Sequence, residues 1–252
     1  MNEKYLLLRP MNLSVDIGNT RSKIALFEGD KLFCTQAMES VFSPAWEELF
    51  AQHNIENGIL SSVKSNDEEL LCFLQQKTKH FIELSHRTPL PIQIDYSTPE
   101  TLGKDRLAAV IGAYTLMPQH DILVIDAGTA ITFDFLSANG CYHGGAIAPG
   151  LTMRFRALHE FTGKLPLLSP KEDTPLVGRS TDEAIRSGVV GGMIAEIEAY
   201  AQALREQYPQ LLIFLTGGDA FFFEKKLKSS IFANSNLVFI GLNRIIDYNV
   251  KI

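Results

Sequence analysis

Scarcities come first in this 252-residue chain, because each removes a class of function. Cysteine is rare: Cys34, Cys72 and Cys141 lie far apart, without CxxC spacing, so the sequence offers no disulfide framework. Such thiols are expected to stay reduced in a cytoplasmic protein. Positive charge is also short, with 23 Lys and Arg against 29 Asp and Glu, a net charge of −6. That balance supplies no broad basic field for a nucleic-acid backbone or an anionic membrane, and neither partner is expected. Long apolar runs are missing too. The opening MNEKYLLLRP is too short for a signal-peptide core, and no stretch reaches the roughly 18 apolar residues of a membrane span. What remains is 46% hydrophobic, enough for one large or two modest cores.

The ten residues before Met11 read as an extension ahead of the first strand. From Asn12 an apolar run leads into Asp16, a Gly18-Asn19-Thr20 turn, a strand over 23–27 and, after Glu28-Gly29-Asp30, another over 31–34. Helical spacing covers Pro44 to Gln52 and Asp67 to Gln76, with strands expected at 58–63 and 80–84. Three prolines mark 88–99 as a connector. Leu107, Val110, Ile111 and Tyr114 predict a helix over 103–117, opening near Lys104-Asp105-Arg106. Ile122 to Ile125 is an unbroken apolar run, as in a strand covered on both faces, and strands over 131–136 and 142–147 follow. A long helix fits Asp182 to Gln207 through Ile185, Val189, Met193 and Ile197. Strands are expected at 211–215 and 237–240, the latter ahead of a C-terminal helix.

One pattern occurs twice. Val15-Asp16-Ile17-Gly18-Asn19-Thr20 and Ile125-Asp126-Ala127-Gly128-Thr129 each end a strand on Asp-x-Gly and continue into another strand. The repeat implies two duplicated α/β halves, 11–118 and 119–252, with a cleft between them as the ligand site. In the first copy a glycine lets backbone approach a phosphate, Asn19, Thr20 and Ser22 supply short polar groups, and Lys23 adds positive charge. Asp16 suits a hydrated magnesium ion. A plain hairpin turn is the alternative. In the second copy Thr129 and Thr132 offer hydroxyls, and Asp126 suits either a cation or a turn-stabilising role. Gly103-Lys104-Asp105-Arg106 sets a carboxylate that can take a proton beside a guanidinium that can grip an anion; helix capping explains it equally well. His143 has no second histidine or cysteine at ligand spacing and reads as structural.

Together these motifs resemble those of type III pantothenate kinases. DIGNTRSK is similar to that family's first phosphate motif, GKDR to its Gly-x-Asp-Arg substrate motif, and DAGTA with Thr132 and Asp134 to its second phosphate motif. Tyr96, GGAIAPGL at 144–151, Leu165-Pro166 and GRSTDEAIRSG at 178–188 extend the likeness over nearly the whole chain from Met11. The resemblance implies two ribonuclease-H-like domains with mixed sheets flanked by helices, the actin and sugar-kinase fold. It also implies ATP-dependent phosphorylation of the primary hydroxyl of pantothenate, the first step of coenzyme A synthesis. By that likeness Asp105 accepts the proton, and Gly103, Lys104, Arg106, Tyr96 and Thr181 contact pantothenate. ATP then lies along Asp16, Ile17, Gly18, Asn19, Thr20, Arg21, Ser22 and Lys23 and at Thr129. Asp126 binds the potassium or ammonium ion on which the family depends, beside magnesium, and the working unit is a homodimer. Two other readings remain open: a kinase of the same fold for another small hydroxyl compound, and a nucleotide-binding regulator without turnover.

Overall fold

Three strands set the first sheet in motion: β1 (Met11–Ile17), β2 (Ser22–Glu28) and β3 (Lys31–Ala37) run antiparallel, and Gly29, at φ +56°, turns β2 into β3. This computed structural model describes residues 9–19, 22–64 and 67–251. The expected extension lies mostly outside those residues. Helix α1 (Pro44–Gln52) leads to β4 (Ile55–Ser62), and α2 (Glu68–Lys77) leads to β5 (His80–Glu83). Both later strands run parallel to their neighbours, so each needs a crossover, which the helices supply. Asp67 opens α2 by accepting the Glu69 N–H at 3.3 Å, and Lys77 closes it with positive charge. The sheet order is β3-β2-β1-β4-β5. Leu13, Val15, Ile24, Leu26 and Leu60 meet Trp46, Leu49, Leu70 and Leu74 in one buried layer.

A second sheet repeats this order. After the short β6 (Gln93–Ile94) and helix α3 (Lys104–Leu116), strands β7 (Ile122–Ala127), β8 (Ala130–Ser137) and β9 (Cys141–Pro149) form the antiparallel meander. Helices α4 (Leu151–Glu160), α5 (Thr181–Arg186) and α6 (Gly192–Gln207) precede β10 (Leu212–Thr216), and α7 (Ala220–Glu224) precedes β11 (Phe232–Ala233). The order is β11-β10-β7-β8-β9-β6, with β10 parallel to β7 and β11. Apart from the added edge strand β6, it is the first sheet over again. The duplicated mixed α/β fold expected from the repeat is therefore present. Its core joins Leu123, Ile125 and Phe133 to Leu151 and Phe155 of α4 and to Ile185, Val189, Met193 and Ile197.

Three local expectations change. The long helix over 182–207 is interrupted at Ser187–Gly191 by a π-helical turn, where Gly188 and Gly191, with Gly192 directly after, weaken the regular ladder. Strand β6 falls within the proline-rich connector, its end fastened by the Asp95 N–H to the Tyr142 carbonyl at 2.9 Å. Residues 237–240 are not a strand but the first turn of α8 (Leu237–Val250). Helix packing decides this: a Cβ on Gly112 of α3 would stand 2.1 Å from the Leu237 carbonyl oxygen, and one on Gly241 of α8 would stand 1.8 Å from that of Ala108. Only glycines allow two helix backbones so close. Because α8 packs against α3, residues from Leu237 onward join 1–93 and 97–116 in the first compact unit. Residues 94–96 and 117–236 make the second, so a single boundary at 118 divides the chain differently from its packing.

Candidate active site

Asp16 is the next-to-last residue of β1, with Lys23 beside it on β2 and Ser61 beside it on β4. The Ser61 hydroxyl donates to its Oδ1 at 3.1 Å. Burial, with the negative charge of Asp105 added, pushes the Asp16 carboxyl up to about 6; the Ser61 bond and the Lys23 charge oppose the rise without cancelling it. Asp105 stands in the first turn of α3 and accepts the backbone N–H of Arg106 at 2.9 Å. Its Oδ1 occupies space that a Cβ on Gly103 would invade at 2.7 Å, which explains the glycine two positions earlier. Arg106 is buried and Lys104 half-buried. Ile17 is buried, Gly18 and Ser22 are half-buried, and Asn19 and Lys23 are exposed; Thr20 and Arg21 lie outside the described residues. The first unit thus brings Asp16, Lys23, Ser61 and Asp105 into one electrostatic neighbourhood. Ser61 was missed in the sequence, although it marks where a buried apolar run turns to paired hydroxyls.

Asp126 holds the equivalent place in the second unit, next to last on β7, with Thr132 on β8 and Thr216 on β10 beside it. Gly217 follows at φ +94°, and a Cβ there would lie 2.4 Å from Asp126 Oδ1 and 2.5 Å from the Ala127 carbonyl carbon. Thr129 is exposed on the β7–β8 turn, its carbonyl accepting the Gly150 N–H at 3.2 Å. Buried Asp134 accepts from Thr132 Oγ1 at 3.0 Å and from the Tyr142 hydroxyl at 2.7 Å. The Tyr96 ring lies 6.1 Å from that of Tyr142 and over Gly144, where a Cβ would come within 2.9 Å of it. Thr181 opens α5, exposed, behind Ser180, whose hydroxyl accepts the Glu183 N–H at 3.2 Å. The predicted residues therefore fall into two sets, one per unit. His143 has Cys141 and Asp95 beside it, and one potential ligand atom from each of the three lies within 4.8 Å of the others.

Two strand-end carboxylates on duplicated sheets, one of them near a second carboxylate at a helix start, suit chemistry on an anionic, cation-bound group. The sequence profile described as type III pantothenate kinase matches residues 12–203. The chain belongs to the type III pantothenate kinase family. A type III pantothenate kinase of Phocaeicola vulgatus is 48% identical over 242 residues, spanning 96% of this chain and all of that one. Among solved structures, one from Campylobacter jejuni assigned to the Baf family of transcriptional activators has a TM-score of 0.63 at 26% identity. It covers 95% of this chain and all of that chain. A Listeria monocytogenes protein assigned as an N-acetylmannosamine kinase has a TM-score of 0.54 at 13% identity, covering 95% and 99%, which supports the fold alone. Within the pantothenate kinase family frame, GKDR is the segment ending in Arg106, and the two Asp-x-Gly turns are those of Asp16 and Asp126.

Proposed function

We propose that this chain transfers the γ-phosphoryl group of ATP to the primary hydroxyl of pantothenate, giving ADP and 4′-phosphopantothenate at the start of coenzyme A synthesis. The family match along 12–203 carries the substrate assignment. The Asp16–Asp105 neighbourhood supplies a chemical route. Asp105 accepts the hydroxyl proton as that oxygen bonds to the γ-phosphorus, and the bond to the departing ADP oxygen breaks. Its carboxylate is fixed for this task by the Arg106 N–H. Arg106 and Lys104 provide positive charge for the carboxylate of pantothenate; Gly103, Tyr96 and Thr181 are assigned to pantothenate by the family likeness alone. By their likeness to the family's phosphate motifs, Asp16 to Lys23 in the first unit and Thr129 in the second are each assigned to ATP.

Asp16 fits a magnesium ion: a buried carboxyl held up at about 6 by burial and Asp105 gains most from a neighbouring cation. Asp126, a strand-end carboxylate whose Oδ1 is approached closely by the backbone at Gly128 and Gly217, is the group that would hold potassium or ammonium. Bound there, these ions supply positive charge that offsets the charge on the transferring phosphoryl group. The Asp16–Asp105 pair also favours turnover over a purely regulatory role. Measuring ADP release with pantothenate, with neutral sugars and with no acceptor tests the reading. Release with pantothenate alone is expected; equal release with sugars, or none with any acceptor, defeats it.

A further inference from the structure

Three metal-ligating side chains of different chemistry converge at the edge of the second sheet. Cys141 and His143 stand two residues apart on β9 and so share a face, and Asp95 follows β6 beside them. One oxygen, one nitrogen and one sulfur from the three lie within 4.8 Å of one another. His143 Nδ1 is 3.3 Å from Asp95 Oδ2. Tetrahedral bonds of zinc to nitrogen, oxygen and thiolate sulfur put neighbouring ligand atoms roughly 3.4 to 3.6 Å apart, so the nitrogen and oxygen are already spaced for a shared ion and the sulfur needs a shift of about 1 Å.

The hydrogen bonds around His143 fix its second ring nitrogen. The Ser137 hydroxyl has one hydrogen and three close groups: Asn139 Oδ1 at 2.6 Å, His143 Nε2 at 2.9 Å and the Cys141 carbonyl oxygen at 3.1 Å. Asn139 Oδ1 is fixed as an acceptor because the Cys141 N–H also donates to it, at 3.2 Å. With the Ser137 hydrogen committed to that shortest contact, Nε2 carries the imidazole hydrogen and donates to Ser137 Oγ. Nδ1 is then the ring nitrogen that faces Asp95, at 3.3 Å from its Oδ2, and the one that an ion would use. The arrangement is also that of a metal-bound histidine, whose other ring N–H is held by a hydrogen-bonding neighbour, and Phe135 stacks against the ring at 5.7 Å to limit its rotation.

We propose that Asp95, Cys141 and His143 bind a borderline divalent transition ion of the zinc class, with Ser137 as the positioning residue. Mixed sulfur, imidazole and carboxylate ligands select such an ion over magnesium or calcium, which prefer oxygen. The Asp95 side chain is 75% exposed, leaving access and a fourth position for water. On binding, the Cys141 thiol gives up its proton to solvent and the sulfur bonds to the ion, with no change in oxidation state. The ion would fasten β6 to β9 and hold the segment that continues into Tyr96.

The test is cobalt(II) titration of the full chain after removal of metals by a chelator. One equivalent is expected to produce near-ultraviolet thiolate-to-cobalt absorption, displaced by zinc. Cys141→Ser removes that absorption, the double change Cys34→Ser and Cys72→Ser keeps it, and Ser137→Ala weakens binding about 10- to 100-fold. Circular dichroism checks that each variant is folded. Absence of the absorption in wild type, or its persistence in Cys141→Ser, overturns the site; a proton shared by His143 and Asp95 then explains the geometry.

Discussion

Asp105 offers the most direct single-residue test, because amide replacement keeps its size while removing the proton acceptor. Asp105→Asn is expected to bind ATP and to lower the turnover rate about 100- to 10,000-fold. Steady-state assay with a nucleotide-binding measurement checks it, and near-normal turnover removes the role. Asp16 behaves differently, since its carboxyl is held up at about 6 against an ordinary 3.8. Between those values the folded protein binds more protons than the unfolded chain, so this residue's contribution falls as pH rises through the window. Asp16→Asn should therefore stabilise the ligand-free protein at pH 7.5, by a few kcal/mol at most, with the gain shrinking toward pH 4. The same change should abolish ATP turnover. Urea unfolding of both proteins at several pH values checks the sign; a variant less stable than wild type at pH 7.5 contradicts it. At Asp126 the expectation concerns ions: replacing potassium by a bulky organic cation at constant magnesium and ionic strength should slow turnover, and an unchanged rate removes the cation assignment.

At the scale of elements, α3 and α8 meet where neither helix can carry a side chain. Gly241→Val should force the backbones apart and cost about 2 to 4 kcal/mol or prevent folding, read by thermal unfolding against wild type. Gly192→Ala is the contrasting case, since among the described residues nothing beyond its own helix backbone lies within 4 Å of the added Cβ. This crossing also shows why part of the fold was hidden in the sequence. Residues 237–240 form a four-residue apolar run, which suits a buried strand or a buried helix turn equally, and the partner that decides between them lies in α3. The strands around Asp16 and Asp126 were legible because a strand ending on Asp-x-Gly occurs in each half. The cluster at His143 was not, since Asp95 is 48 positions away and only the β6–β9 pairing brings it near.

For the whole molecule, duplication could be read from two short motifs, whereas the return of α8 to the first unit could not, because packing ignores chain order. Oligomeric state is the remaining expectation at this scale. Ile185, Val189, Met193 and Ile197 are buried in the second unit's own core, so ordinary packing accounts for the apolar stripe of α5 and α6. It does not account for the glycines. Among the described residues, nothing beyond their own helix backbone lies within 4 Å of a Cβ placed on Gly188, Gly191 or Gly192, although each costs a helix up to about 1 kcal/mol relative to alanine. Beside them is a groove of ≈ 1050 Å³ lined by Leu176, Val190, Gly191 and Ile194, and the Leu176 side chain is among the most exposed large apolar groups, at 90%. A second copy bringing the same surface would cover both features, since a twofold contact uses one patch twice. We therefore expect a homodimer at micromolar concentration by sedimentation, and expect Gly191→Leu to lower the sedimentation coefficient toward that of a monomer while circular dichroism stays unchanged. A monomeric and fully active wild type refutes the dimer, whereas a Gly191→Leu protein that stays dimeric moves the interface away from this helix.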